Sequence, residues 1–435
     1  MKISIITIIV FCLCTSNATS QVYNLEMCKA KAIENNLKIK NAEIDIKIAA
    51  QTTNEAFTKY FPHVEATGFT FKANRHTFHK DFDFSALAPI LPALANPVSL
   101  NLMEKGKTAG IIVTQPVFAG GQIINSNKLA KTGEEITVLK RELSEDEINE
   151  TTEKYFWQIV SLKEKSKTIS ALKEQLEHLR KDVEMAVKAG IVNRNELLRI
   201  ELKQHELKSE ELKLNNGINI TKILLGQHTG EMSNIFDIDI DSFPYPEHPS
   251  KFYIEANTAA TQRTEYKLLD KNIEANRLNV KIEAGKRLPT VGIGGSYVYH
   301  NFAEQTNTFG MLFATIRIPV SNWWGGTYAV KRAKLKTMQA ENERTNAMEL
   351  MTVEIMQVYN ELEEAYEQVI LAKQTVSVAL ENLRLNDNYY RAGISTLTDI
   401  LDARSLLQKS NEQYAESACN YQIKLAKYKQ ITRQK

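Results

Sequence analysis

The chain has 435 residues, 43% of them hydrophobic and 24% charged, with a formal net charge of +2. That balance gives no electrostatic ground for binding nucleic acid. The four cysteines are too few and too scattered for a disulfide framework, so packing must hold the fold.

The first 20 residues read as a signal peptide: Lys2, an apolar run from Ile3 to Cys14, and Ala18 and Ser20 before a cut at Gln21. The run is shorter than the roughly 20 residues of a membrane-spanning helix. Lipidation at Cys12 or Cys14 is the weaker alternative, since bulky Phe11 and Leu13 precede them. Removal of the signal leaves Cys28 and Cys419. No later stretch is a transmembrane helix candidate, so membrane entry would require strands in a closed barrel.

Val22 to Tyr60 reads as a first helix, with Asn24 as N-cap and Pro62 beyond its end. The period then changes. His63 to Gly68 alternates polar and apolar, as a strand does. A long apolar loop is expected over Phe78 to Lys107, and a second strand from Thr108 to Phe118, with Ala109, Ile111, Val113 and Val117 on one face. Pro116 and Gly120-Gly121 turn that strand into a long helix, Gln122 to Ala189, with an apolar seam at Ile169, Leu172, Leu176, Leu179, Val183 and Ala186. Gly190 ends it, and a return helix is expected from about Asn193 to Leu225. Gly226 to Pro249, rich in Asp and Pro, is a linker.

The second half repeats this order. Tyr253 to Lys286 is helical, and Leu288-Pro289-Thr290-Val291 echoes Phe61-Pro62-His63-Val64. In the third strand Val291, Ile293, Tyr297 and Tyr299 share a face, and in the fourth Leu312, Ala314, Ile316 and Ile318 do, with the polar loop Asn301 to Thr308 between them. Pro319-Val320 and Gly325-Gly326 echo Pro116-Val117 and Gly120-Gly121. A helix free of Pro and Gly then runs from Thr327 to Ala392, with apolar steps of three and four from Met348 through Leu383. At 1.5 Å per residue it would reach roughly 100 Å, far beyond a globular core. By itself such a seam fits a solvated coiled-coil rod equally well. Gly393 follows, then a final helix with Leu407, Tyr414, Ala418, Tyr421, Leu425 and Tyr428 at heptad steps. Ser395, Thr396 or Thr398 could cap it. Each hairpin supplies strands long enough to cross an outer membrane, but four strands cannot close a barrel, which takes about eight. The chain is therefore expected to oligomerise.

Val113 to Gly121, the partner stretch Ile318-Pro319-Val320 through Gly325-Gly326, and the two Ala-Gly-Ile turns resemble the TolC family of outer-membrane efflux channels. The likeness covers nearly the whole mature chain. It implies a mixed membrane protein: a trimeric 12-stranded β-barrel, four strands per chain, continued by a long α-helical barrel built from two internal repeats. Residues 21–240 would form the first repeat, with barrel hairpin 62–119 and helical hairpin 121–225. Residues 241–435 would form the second, with barrel hairpin 289–320 and helical hairpin 326–430. The implied setting is a homotrimer in the outer membrane of a Gram-negative cell, in contact with its lipid and extending through the periplasm. A periplasmic adaptor and an inner-membrane pump would dock at the far end, as in tripartite efflux or type I secretion.

The hairpin tips carry the candidate site. Lys188-Ala189-Gly190-Ile191 aligns with Arg391-Ala392-Gly393-Ile394, and Glu196-Leu197-Leu198 with Asp399-Ile400-Leu401. Asp399 and Asp402 lie on one face of the return helix. Acids there commonly serve only a solvated helix start; the resemblance makes the pair the acidic entrance constriction. It also gives Tyr390 a tip hydrogen bond, with Glu196 as plausible acceptor, and offers Leu197, Leu198, Ile400, Leu401 and Ala403 for adaptor contact. The chain departs from the family at Ser395, where an Arg could lock subunits together. His76, His79, Asp81 and Asp83 are a weak metal candidate with nothing to fix their geometry. Gly292 to Gly295 is not a phosphate loop, because no helix follows directly. No nucleophile with a base partner stands out, so neither an enzyme nor a cofactor is expected. The rival readings are a secreted coiled-coil protein without a pore and a periplasmic adaptor, which would carry a single hairpin.

Overall fold

The computed structural model describes residues 22–74, 78–84, 86, 90, 96–102, 105–232, 236–238, 243–302 and 305–434. The signal segment and His76 lie outside these residues. In chain order the elements are β1 (Val22–Tyr23), α1 (Leu25–Asn35), α2 (Leu37–Thr58), β2 (His63–Lys72), β3 (Phe78–Phe82), β4 (Val98–Leu102), β5 (Lys105–Ala119), α3 (Gln122–Lys188), α4 (Arg194–His228), β6 (Asp237–Ile238), α5 (Ala256–Gln262), α6 (Thr264–Gly285), β7 (Thr290–Phe302), β8 (Gln305–Arg317), α7 (Asn322–Arg391) and α8 (Leu397–Ile431). The chain divides into two compact units, and each draws on both sequence halves. One contains residues 1–45, 138–268 and 344–435; the other contains 46–137 and 269–343.

The expected first helix is broken. Val22 and Tyr23 pair in parallel with Asp237 and Ile238, and Asn36 interrupts the helix with extended backbone. Asn24 is the N-cap of α1, its side chain accepting from Met27 N–H at 2.9 Å. Arg263 breaks the corresponding helix of the second half between α5 and α6, also with extended backbone. Neither Asn nor Arg is a strong breaker by propensity. Side-chain anchors hold both residues. Asn36 donates to the His228 carbonyl at 2.9 Å, and Arg263 pairs with Glu265 at 2.7 Å and Glu354 at 2.6 Å.

In the second unit β2, β5, β7 and β8 form one antiparallel sheet in that order. The register puts Val64, Val113, Ile111, Val291, Ile293, Tyr297, Leu312, Ala314 and Ile316 on one face. The other face bears Glu65, Thr114, Thr290, Ser296 and Arg317, with Phe69, Phe71 and Phe309 farther from the helices. Two expectations are corrected here. A bulge between Pro116 and Phe118 changes the parity of β5, so Phe118, not Val117, continues the face opposite Val291. Proline has no N–H to donate, and an irregularity at that point relieves the ladder. The segment expected as a long loop contains the paired strands β3 and β4, with Phe78 opposite Leu102 and Phe82 opposite Val98.

The 67-residue α3 and the 70-residue α7 follow their strands directly. The α7 seam is buried over its middle, at Met351, Ile355, Val358, Leu362, Ala365, Val369, Ala372 and Ala379. Removing side chains of this size from water stabilises by about 1.5–3 kcal/mol each for the larger ones. Such a stripe therefore fixes which side of a helix of modest intrinsic stability faces inward. Cys28 and Cys419 are free thiols in one apolar cluster with Phe156, Trp157 and Leu225. Burial pushes their pKa values up to about 11 and about 12. Among the described residues no helix is long and apolar enough to cross a membrane.

Candidate functional site at the hairpin tips

Both hairpins turn by the same device. Gly190 and Gly393 have φ of 73° and 74°, in the left-handed region. Ile191 N–H reaches back to the Ala186 carbonyl at 2.9 Å, and Ile394 N–H to that of Tyr389 at 2.8 Å, which satisfies carbonyls that the helix end would orphan. Among the capping choices Thr396 is the one used. Its hydroxyl accepts from Asp399 N–H at 3.3 Å, while the Asp399 carboxylate accepts from Thr396 N–H at 2.7 Å. This is a capping box. The hydrogen bonds from Thr396 hold the Asp399 carboxyl below its usual range. Asp399 and Asp402 are both exposed in the isolated chain.

An apolar cluster joins the two hairpins. Ile169, Leu172, Leu176, Leu179 and Val183 of α3 and Ile200 and Leu207 of α4 pack with Leu397 and Ile400 of α8; Leu197, Leu401 and Tyr390 lie against it. Ile400 and Ala403 are buried and so are unavailable to an adaptor in this chain; Leu198 is exposed. The heptad register explains the difference, since Ile400 and Ala403 repeat at i, i+3 on the inward face of α8. Tyr390 also departs from expectation. Desolvation, with the Glu196 and Asp182 charges, raises its phenol pKa, but no hydrogen bond joins it to Glu196. Polar links between the hairpins run instead from the Arg199 guanidinium to the Thr398 hydroxyl near the tips, and farther along from the Gln408 amide to the Glu210 carboxylate at 3.0 Å. Ser395 donates to the Asn386 carbonyl at 3.3 Å, within its own hairpin.

Sequence reasoning missed one further group. The guanidinium of Arg404 borders a cavity of about 350 Å³ between α3, α7 and α8. Its Nε and Nη1 are buried without a hydrogen-bond partner. Desolvation lowers its pKa, and Arg391 lowers it further, while Asp387 opposes the shift. A lone Arg in a helix carries no local signal of this, because only the packing of three helices buries it. Among the described residues no His, Cys, Asp or Glu cluster could hold a metal.

The strand–helix corners are the second set of candidate positions. Pro62 precedes β2, Pro116 sits at the β5 bulge and Pro289 precedes β7. After β8, Asn322 N–H closes a turn onto the Pro319 carbonyl at 2.9 Å. Gly120 and Gly121 form the first corner, with φ of 59° and 73°. Gly325 and Gly326 do not repeat them, since both lie inside α7, whose corner is at Val320-Ser321. Gly285, which sequence reasoning passed over, abuts Gly120: a Cβ on it would fall 2.4 Å from the Gly120 carbonyl oxygen.

Paired strands open onto long helical hairpins twice in the chain. The chain is similar in structure to CusC, whose crystal structures describe transmembrane channel formation, with a TM-score of 0.79 at 10% identity over 95% of this chain and 93% of that one. It is similar to VceC from Vibrio cholerae, with a TM-score of 0.77 at 13% identity over 94% and 96%. It is also similar to the CmeC outer membrane channel of Campylobacter jejuni, with a TM-score of 0.75 at 14% identity over 94% and 85%. No curated protein sequence matches it. The profile described as outer membrane efflux protein matches residues 259–432. The TolC-family resemblance read from the residues is borne out.

Proposed function

We propose that the protein is the outer-membrane duct of a tripartite efflux or type I secretion system, a homotrimer with one 12-stranded barrel and no chemistry of its own. The observation that carries this reading is the sheet. Its four strands alternate in direction from β2 to β8, and among the described residues β2 and β8 each have an unpaired edge. A second copy's β2 would therefore meet β8 antiparallel, and repetition closes the sheet without a parallel pair. The more apolar face would meet lipid, and the opposite face, which mixes Glu65, Thr114, Ser296 and Arg317 with Phe69, Ile112 and Phe313, a water-filled lumen. Exposed seams on the long helices support the same assembly: Leu371 and Val378 of α7 and Leu202 and Leu212 of α4 are uncovered in the single chain.

In this reading Asp399 and Asp402 of three copies ring the periplasmic entrance, a cation-favouring constriction. Leu198, Ile191 and Ile394 are the apolar tip residues left exposed for an adaptor. Opening would shift α7 and α8 together, with the Arg199–Thr398 link among the contacts to be broken. Mass measurement of the detergent-solubilised protein, followed by reconstitution in planar bilayers, tests the proposal. Three copies and a cation-preferring conductance are expected. A monomer that stays in solution without detergent would refute it.

A further inference from the structure

Arg404 stands about two turns into α8. It lines the cavity of about 350 Å³ that α3, α7 and α8 enclose. Nε and Nη1 of its guanidinium are buried, and among the described residues neither has a hydrogen-bond partner. Donors left unpaired out of water are destabilising, and more so on a charged group. The acids around it are engaged elsewhere. Asp387, which acts on Arg404 through space, bonds the Arg391 guanidinium at 2.9 Å. Glu164, on the cavity wall, pairs with Lys167 at 2.6 Å. Glu210 and Glu412 accept from the Gln408 amide at 3.0 and 2.9 Å.

Much of the wall is apolar. Leu172 of α3, Leu383 of α7 and Leu407 of α8 contribute to it, and Phe243 stands edge-to-face to Tyr414 with ring centroids 6.3 Å apart. An apolar lining with a few polar groups is the usual make-up of a small-molecule site, and the volume falls in the range of about 300–1,000 Å³ that such sites have. Nε and Nη1 are neighbours on one edge of the guanidinium, the fork that receives both oxygens of one carboxylate. One buried positive charge balances one negative charge, so a monoanion is matched and a dianion is not. A chloride ion would meet the donors and leave the apolar wall bare.

We propose that this cavity is a binding site for a small amphipathic carboxylate, its two oxygens forked on Nε and Nη1 of Arg404 and its apolar body against Leu383, Leu407 and Phe243. The site lies within one chain and needs neither the barrel nor a second copy. Its walls come from both helical hairpins, so an occupant would tie α3 to α7 and α8. Arginine fits this role where lysine would not, because an ammonium is a point charge without a fork.

The test is equilibrium dialysis of radiolabelled phenylbutyrate against the full-length protein in detergent, with phenylbutanol as the neutral isostere and chloride as competitor. One saturable site per chain is expected, with the alcohol bound at least about 10-fold more weakly. Arg404→Met should abolish saturable binding, and Arg404→Lys should weaken it about 10-fold. Asn411→Phe keeps the guanidinium but fills the cavity, and should abolish binding too. No saturable binding to the parent overturns the site; a drop in the unfolding temperature of Arg404→Met alongside it would give the guanidinium to a carboxylate of a neighbouring subunit. Equal binding by the parent and Arg404→Met, or of acid and alcohol, overturns it as well. So does displacement of the probe by chloride at matching concentration, which would leave a hole for any small anion.

Discussion

Gly120 and Gly285 meet backbone to backbone: a Cβ added to Gly120 would lie 2.3 Å from the Gly285 carbonyl oxygen. The first strand–helix corner thus seats directly on the end of α6, at a contact no side chain could share. Gly285→Ala forces this contact apart and is expected to destabilise by about 1–3 kcal/mol, as overpacking does. Gly133, within α3, has open space around it. Gly133→Ala should instead stabilise by about 0.5–1 kcal/mol. Chemical denaturation of the two variants in detergent, read by circular dichroism, checks the contrast.

The two tip aspartates should separate by role. Asp402→Asn removes charge alone and is expected to raise conductance and weaken cation preference in planar bilayers. Asp399→Asn should do the same and also loosen the first turn of α8, because Asp399 closes the capping box with Thr396. Hydrogen exchange of the amides over 397–400 reports that second effect. Identical selectivity in both variants and the parent would sink the acidic constriction.

Arg199→Ala deletes the polar link to Thr398 while leaving the apolar cluster beneath it intact. Single-channel recording should show more frequent openings. Exposed polar pairs contribute only about 0–1 kcal/mol, so global unfolding should hardly move. A large loss of stability without a change in gating would contradict this assignment.

Acid should loosen the α3–α4 hairpin. The Arg180 guanidinium, with the Gln204 amide, holds Glu177 at about 2. Lys173, 2.8 Å away, and Lys208 hold Glu211 at about 2 as well. Both values are depressed, so their stabilisation is present above the unfolded carboxyl value of about 4.3 and is lost as pH falls through it towards 2. Hydrogen exchange along α4 should rise across that window in the parent and less in Glu211→Gln.

Arg404 offers a different test. Its Nε and Nη1 are buried without a hydrogen-bond partner among the described residues. Replacing an unpaired buried charge with an apolar side chain of similar length is commonly neutral or stabilising. Arg404→Met is expected to unfold at an equal or higher temperature by scanning calorimetry. A marked drop would mean that a neighbouring subunit supplies the missing acceptor.

The sequence by itself determined the duplicated order of elements, the two long helices and the turns at Gly190 and Gly393. These follow from local rules: a period of two or of 3.5–3.6, and proline and glycine as punctuation. Only the tertiary structure decided the breaks at Asn36 and Arg263, the parity change at Pro116, the burial of Ile400 and Ala403 and the isolation of Arg404. Each of these depends on a partner far away in the chain. His228 anchors Asn36 across 192 positions, and Glu354 anchors Arg263 across 91. A helix pattern states which residues share a face; it does not state which neighbour will cover that face, and at the tips the neighbour decides whether a leucine holds the hairpins together or waits for a partner.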